Sequence, residues 1–511
     1  MRAQVIVFAD RSQPQRRCGR VLPKQLSTLL HLDLWSGGSV IGFWLLGSQA
    51  DTCLRGPIRL FSALCRLTCL CSTVFSVSFE AAPRLREAAP LHAARELAGA
   101  EQTVRVTLID RNNYHKFQPL LYQVATAGLD PNGIAHSVRD VFHYAANVDF
   151  KLGTVTDIDA DRRRVTTREG LETPYDYLIL AAGAVASYFG VEGAREHSFP
   201  LKNLSDAVQL RNHILRQFER ADQRVHLSGD DQAQDGLLRF VVVGGGPTGV
   251  ETAGALTELF RVMQRDYKRF DTTAAEVMLV EMGDRLLPAY DPEQSAYTRR
   301  VLSRRGVQVM TGAAVERVEP GAVHFESGRR LATETLIWGA GVTASPVAGL
   351  VEGAEQADGG RLAVGPDLRV NGRERIFAAG DIGAGEDDEG RLYAQLAPVA
   401  IQQGKHAARQ ALRLAQGRPA EPFAYRNLGK MATIGRNAAI AELPGGVRLE
   451  GFVAWVAWVF IHIAKLVGTR NRASVFVEWI YNYFTYDRSA RLILPDVQQE
   501  REEESAPAAE A

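Results

Sequence analysis

The sequence predicts an α/β fold built on parallel sheets with crossover helices, and three observations predict it. The first is Val241-Val242-Val243-Gly244-Gly245-Gly246-Pro247-Thr248-Gly249, an apolar strand running into a glycine-rich turn and then a helical pattern. The second is a β-turn-α-β order that repeats along the chain. The third is a set of apolar strands that end at Asp110, at Gly183 and at Gly380-Asp381. Ligands of open parallel sheets bind outside the carboxyl ends of the strands, so these are the residues to watch. Together they describe two Rossmann-like dinucleotide-binding units.

In order, the pattern predicts a helix over Leu91–Ala98 and a strand over 104–109 that ends at Asp110. Short strands follow at Val148–Lys151, Arg164–Thr167 and Tyr175–Leu180. Residues 222–236, rich in Asp, Gln and Gly, read as an exposed connection. The strand Arg239–Val243, the glycine turn, a helix from about Gly249 to Phe270 and the strand Glu276–Val280 complete one β-α-β unit. Further on, Arg375-Ile376-Phe377-Ala378-Ala379-Gly380-Asp381 is a strand running into Gly-Asp. The tail holds the apolar run Phe452–Ile461 and then an aromatic-dense stretch with Phe476, Trp479, Tyr481, Tyr483, Phe484 and Tyr486. A spanning helix needs about 20 apolar residues. Extending the first run places His462 and Lys465 inside, so both segments suit a membrane surface, and a buried helix or a homodimer contact is the alternative. Residues 495–511 are polar and acidic, and are expected to be disordered.

The 59 basic and 59 acidic side chains cancel, which disfavours a general nucleic-acid binder. All five cysteines (Cys18, Cys53, Cys65, Cys69 and Cys71) lie in the first 71 residues. The main body therefore has no redox disulfide, cysteine nucleophile or thiolate metal site of its own. No histidine stands at ligand spacing from the cluster Cys65, Cys69 and Cys71, and no metal site is expected. Residues 1–90 carry eleven Lys/Arg against five Asp/Glu and show no sustained helix or strand period. They read as an atypical segment.

In the glycine turn, Gly244 allows the tight bend, Gly246 lets backbone approach a pyrophosphate, and Gly249 lets helix and strand pack closely. The helix N-terminus then offers unpaired N–H groups to the phosphates. Glu281 ends the next strand, 32 residues beyond Gly249 rather than the usual span of about 20, and a longer helix accounts for the difference. A carboxylate there accepts ribose hydroxyls and repels a 2′-phosphate, which favours NADH over NADPH.

These residues resemble the two-dinucleotide-binding flavoproteins, in which an NADH domain is inserted into an FAD domain. Within that group, the run from Asp110 through Tyr114, Phe117-Gln118-Pro119 and Tyr122 to Ala125 is similar to the type II NADH:quinone oxidoreductases. So are Gly249–Leu256, Trp338-Gly339-Ala340-Gly341, Ala379-Gly380-Asp381 and Ala400–Gly404. The resemblance covers about Leu91–Leu494. It implies that Asp110 and Asp381 bind the adenosine ribose and the ribitol of FAD, with Phe117, Gln118 and Pro119 beside the flavin. Gly183 and Gly380 belong to the same cofactor site; Gly244, Gly246, Gly249, Glu281, Gly339 and Gly341 belong to that of NADH. Gln402, Gln403 and Lys430 would approach flavin and quinone, and Glu251 would lie near the nicotinamide. The quinone motif is partly kept, as Ala397-Pro398-Val399-Ala400-Ile401-Gln402, without its first glutamine.

The implied reaction is NADH oxidation with two-electron reduction of a membrane quinone through FAD, without proton pumping. The implied place is the cytoplasmic face of a bacterial cell membrane. One departure stands upstream. A strand and a glycine motif are expected just before Leu91, where the chain reads Pro83-Arg84-Leu85-Arg86-Glu87-Ala88-Ala89-Pro90. This, the clustered cysteines and the charge balance point to a misread frame in 1–90, or to a damaged gene. Two alternatives follow: a flavin-free NADH-binding sensor or interaction protein, and a soluble reductase of the same fold. The missing cysteines argue against sulfide:quinone oxidoreductases and disulfide reductases. The expected divisions are 1–90, an FAD domain in two parts (91–238 and 353–448), an NADH domain (239–352), surface helices (449–494) and a tail (495–511).

Overall fold

The computed structural model describes residues 3–9, 89–98, 104–228, 236–485, 488 and 490–494. One five-stranded parallel sheet has the order Ile376–Ala378, Tyr177–Leu180, Ala3–Ala9, Val104–Asp110, Val148–Leu152. Tyr177–Leu180 is buried at every residue, as a strand covered on both faces must be, and its run of apolar side chains explains that. Helix Ala89–Ala98 lies against this sheet, and helix Ala397–Ala415 packs on that helix at Gly404. A Cβ on Gly404 would stand 2.3 Å from the carbonyl oxygen of Ala89, so only glycine allows the two helices to close.

A second parallel sheet has the order Phe199–Pro200, Thr335–Trp338, Arg239–Val243, Glu276–Val280, Val307–Met310. All five of its strands lie, in sequence, between the Tyr177–Leu180 and Ile376–Ala378 strands of the first sheet. One nucleotide-binding unit is thus inserted in the other. An antiparallel sheet, Lys430–Gly435, Ala438–Glu442 and Arg448–Glu450, packs on helices Pro247–Met263 and Gly451–Lys465.

Four sequence readings differ from the structure. Ala3–Ala9 is the middle strand of the first sheet, although the first ninety residues show no sustained period. Its short apolar run, Val5-Ile6-Val7-Phe8, was the available signal. Residues 222–228, read as the start of an exposed connection, instead belong to the helix Leu204–Ser228, because an amphipathic face outweighs a polar composition. The helix expected to reach Phe270 stops at Met263; Tyr267 and Phe270 turn back to pack on Phe218, at ring-centroid distances of 5.9 and 6.4 Å. The two-residue strand Phe199–Pro200 joins the second sheet from before residue 239. The readings of the cysteine cluster, of residues 83–88 and of 495–511 lie outside the described residues.

The tail forms two helices, Gly451–Lys465 and Thr469–Thr485. Among the described residues, no helix is long and apolar enough to cross a membrane. Ala454, Trp458 and His462, spaced at i, i+4 and i+8, face inward. Phe452, Val453 and Phe460 on the first helix, and Phe476, Val477, Ile480, Tyr481 and Phe484 on the second, are exposed.

Candidate active site

The glycine turn is built as its sequence requires. Gly244 has φ +107°, and a Cβ on it would stand 2.6 Å from the Cα of Ala340. A Cβ on Gly249 would meet the carbonyl oxygen of Gly244 at 1.8 Å. Gly246 faces open space, which leaves its backbone approachable. Glu281 closes the turn from the neighbouring strand: its carboxylate accepts from the N–H of Gly245 at 2.6 Å and of Gly283 at 2.7 Å. Gly339 donates to the carbonyl of Val243 at 2.8 Å, so Gly339–Gly341 lies beside the same turn. Gly244, Gly246, Gly249, Glu281, Gly339 and Gly341 are therefore one group.

On the first sheet, Asp110 ends its strand at a cavity lined also by Pro90, Leu91, Tyr114, Lys116 and Asn203. The N–H of Asn112 donates to Asp110 at 2.8 Å and orients the carboxylate. Gly380 has φ +77°, and its N–H donates to the buried Gln403 side chain at 2.7 Å. Asp381 lies near Arg361, whose guanidinium is driven down by burial and held up by that carboxylate. Gly183 takes φ +68° at the end of Tyr177–Leu180. A carboxylate on a cavity at one strand end and a glycine-aspartate turn at another fit a dinucleotide cofactor. The helix start, Ala89-Pro90, offers that cofactor fewer N–H groups than a glycine turn would.

A third group forms around Glu251, on helix Pro247–Met263. Its buried carboxyl accepts, among the described residues, a single 3.3 Å bond from the N–H of Thr433, and burial pushes its pKa up to about 8. Its charge helps to raise the hydroxyls of Tyr122 and Tyr290, both already raised by burial. Lys430 sits 4.8 Å from the ring centre of Tyr290 and pairs with Glu442 at 2.9 Å. Glu251 and Lys430 thus share Tyr290 and one strand. Phe117 is buried edge-on to His462, at 6.0 Å, and His462 stacks on Trp458 at 4.1 Å. His462 is held neutral, its pKa pushed down to about 3 by burial, with Nδ1 donating to the Trp458 carbonyl. Gln118 and Pro119 form the short turn that leads from Phe117 to Tyr122.

Gln402 is placed differently from its neighbour Gln403. Its amide exchanges two hydrogen bonds, of 2.9 and 3.0 Å, with the backbone of Arg426 and so clips a loop. Sequence reasoning missed Tyr290, His462 and Trp458. The apolar run Phe452–Ile461 placed Trp458 only on a surface helix, His462 entered only as a polar residue unsuited to a membrane interior, and nothing local pointed to Tyr290.

Two parallel dinucleotide sheets, one inserted in the other, define a pyridine-nucleotide oxidoreductase of the two-domain kind. The family model "Pyridine nucleotide-disulphide oxidoreductase" matches residues 88–404, and "NDH2 C-terminal domain" matches 427–486. The chain is 36% identical, over 422 residues, to the type II NADH:quinone oxidoreductase Ndh of Mycobacterium tuberculosis, covering 80% of this chain and 88% of that one. It is 29% identical over 351 residues to the type II NADH:quinone oxidoreductase of Staphylococcus aureus, covering 67% and 84%. The structure of NDH2 from Plasmodium falciparum in complex with NADH shares the fold, with a TM-score of 0.72, 20% identity and coverage of 80% and 98%. The chain belongs to the type II NADH:quinone oxidoreductases.

Proposed function

We infer that this enzyme oxidises NADH and reduces a quinone through FAD at a membrane surface, without pumping protons. The observation that carries the reading is the pairing of the complete Gly244–Gly249 turn, closed by Glu281, with a second parallel sheet whose strands end at Asp110 and at Gly380-Asp381. Asp110 would hold the adenosine ribose of FAD and Asp381 its ribitol, with Phe117, Gln118 and Pro119 beside the ring. When bound, FAD supplies acceptance of a hydride and delivery of two electrons. The protein's own part is to bind, orient and hold protons.

Gly246 and the helix N-terminus behind it would bind the NADH phosphates. Glu251, carrying a proton at neutral pH in a water-poor setting, holds one of the two protons a quinone needs. Tyr122 and Tyr290 stay protonated there and keep that setting free of further charge. Lys430, anchored by Glu442 and by the carbonyl of Ala289, stands on the strand that also carries Thr433. The exposed apolar faces of the two tail helices suit contact with the cytoplasmic face of a bacterial membrane, where a lipid quinone resides.

The test is anaerobic reduction. Purified enzyme should be yellow, bleach on NADH, and regain colour on adding a short-chain quinone. Colourless protein that still binds NADH would favour a flavin-free binding protein, which the glycine-free helix start at Ala89-Pro90 allows. Yellow protein that bleaches but is not reoxidised by any quinone would favour a soluble reductase.

A further inference from the structure

In the second sheet, Arg239–Val243 lies between Glu276–Val280 on one side and Thr335–Trp338 on the other. A dinucleotide whose phosphates sit at Gly244–Gly249 lies across that switch point. Its adenosine half then falls on the side of Glu281, and its nicotinamide half on the side of Gly339–Gly341. At this second end stands Phe189. Its backbone is left-handed, with φ +50°, and the residue is 69% exposed. A phenylalanine gains nothing from either condition alone, since the backbone is strained and the ring stays wet.

The ring lies on Gly341. A Cβ there would stand 2.5 and 2.8 Å from two of its carbons, so the glycine leaves room for the phenyl group. The loop that carries the ring is pinned to the same strand end. The N–H of Ser187 donates to the carbonyl of Gly341 at 3.1 Å. Trp338 Nε1 donates to the carbonyl of Ser187 at 2.7 Å. Tyr188 packs on Trp338 at 5.6 Å, and Arg195 covers the Tyr188 ring at 4.8 Å. A fixed loop with a strained, exposed aromatic at a groove end is built to be covered by something that enters the groove.

We propose that Phe189 is a positioning residue for the nicotinamide half of NADH, its phenyl ring walling the end of the dinucleotide groove above Gly341. The assignment rests on reading Gly244–Gly249 and Gly339–Gly341 as the NADH groove. The ligand covers the open side of the ring and is stopped by it, which sets how far the nicotinamide reaches toward the first domain. Phe189 takes no part in bond making.

Calorimetric titration separates the two halves of the ligand. The probes are a tetrahydro analogue of NADH, which cannot give up a hydride, and ADP-ribose, which lacks the nicotinamide. Phe189→Ala should weaken the analogue about tenfold, as loss of a partly buried phenyl contact predicts, and leave ADP-ribose within about twofold. Phe189→Tyr should restore the analogue. In turnover, Phe189→Ala should also lower kcat, because the nicotinamide is held less well. Gly341→Ala, which pushes the ring aside, should reproduce part of the effect, and should add nothing in the Phe189→Ala background. Equal weakening of both ligands, tighter binding of the analogue, or no change in either would overturn the proposal. Glu281→Gln is the separate control on the groove itself. It should alter binding of both ligands, and if it alters neither, the groove reading fails whatever Phe189 does.

Discussion

Glu281 commits one lone pair of each carboxylate oxygen to a backbone amide, those of Gly245 and Gly283, and keeps the others for a ligand. It therefore shapes the turn and reads the ribose together. Glu281→Gln removes the charge that repels a 2′-phosphate, so the ratio of kcat/KM for NADH over NADPH should fall about tenfold or more. An unchanged ratio removes Glu281 from that role. Glu251 carries a different consequence, because its carboxyl is raised from 4.5 to about 8 by burial. Between those values the native state binds more protons than the unfolded chain, so stability falls as pH rises through the window and is flat above it. Glu251→Gln should be the more stable protein, by a margin that grows from about pH 5 to pH 8 and reaches on the order of a few kcal/mol. Denaturant midpoints across that range measure it. Quinone turnover of the natural enzyme should fall as pH passes through about 8, while the Gln variant runs about 10- to 100-fold slower at neutral pH with no such limb. A variant that keeps the alkaline limb would assign the limb to another group.

At the scale of elements, Glu258 on helix Pro247–Met263 joins pieces that are distant in sequence. One oxygen accepts from Arg305 at 2.8 Å and from the N–H of Arg436 at 2.6 Å, and the other accepts from Arg488 at 3.1 Å. Arg488 also donates to the carbonyl of Thr126 at 2.6 Å. The guanidinium of Arg436 lies over the Tyr483 ring at 4.2 Å. The carboxylate thus ties the C-terminal helix to the inserted domain. Glu258→Gln should cost about 2–3 kcal/mol, since partly buried cations lose their counter-charge. Amide exchange should rise in 469–485 before it rises in the parallel sheets, and uniform exchange would refute the tie. None of this was legible in the sequence, because each partner is an isolated charge with no local pattern. The glycine turn and Glu281 were legible, because a tight turn and a close approach restrict residue type within a few positions. The strands of the first sheet from 104 onward were legible for the same reason that Tyr177–Leu180 is buried on both faces. Ala3–Ala9 was not, because a single short apolar run carries no period and its pairing partners, Val104–Asp110 and Tyr177–Leu180, lie far away in sequence. Tyr290 and His462 needed the fold, since only packing brings them to Glu251 and Phe117.

For the whole molecule, the tail helices have two faces with opposite duties. Ala454, Trp458 and Val475 belong to the same core as Val250 and Leu256, so deleting the tail would open the inserted domain and say nothing about membranes. The outward faces offer a cleaner test. Phe460, Val477 and Phe484 are 62, 64 and 76% exposed, with Phe484 edge-on to the neighbouring Tyr483 ring at 5.4 Å. Apolar side chains left in water at this density gain about 1 kcal/mol each by entering the headgroup boundary, so three of them account for roughly a hundredfold in partitioning. The combined variant Phe460→Glu, Val477→Glu, Phe484→Glu should keep its far-ultraviolet circular dichroism and its rate with a short soluble quinone. It should lose most of its co-sedimentation with anionic vesicles, and its rate with a long-tailed quinone dissolved in them should drop about tenfold or more. Both losses belong together, because a quinone held in the bilayer reaches the enzyme only where the enzyme touches it. A variant that sediments as well as the natural chain would place the membrane contact elsewhere. One that floats free yet reduces the long-tailed quinone at the full rate would show that the substrate leaves the bilayer to react.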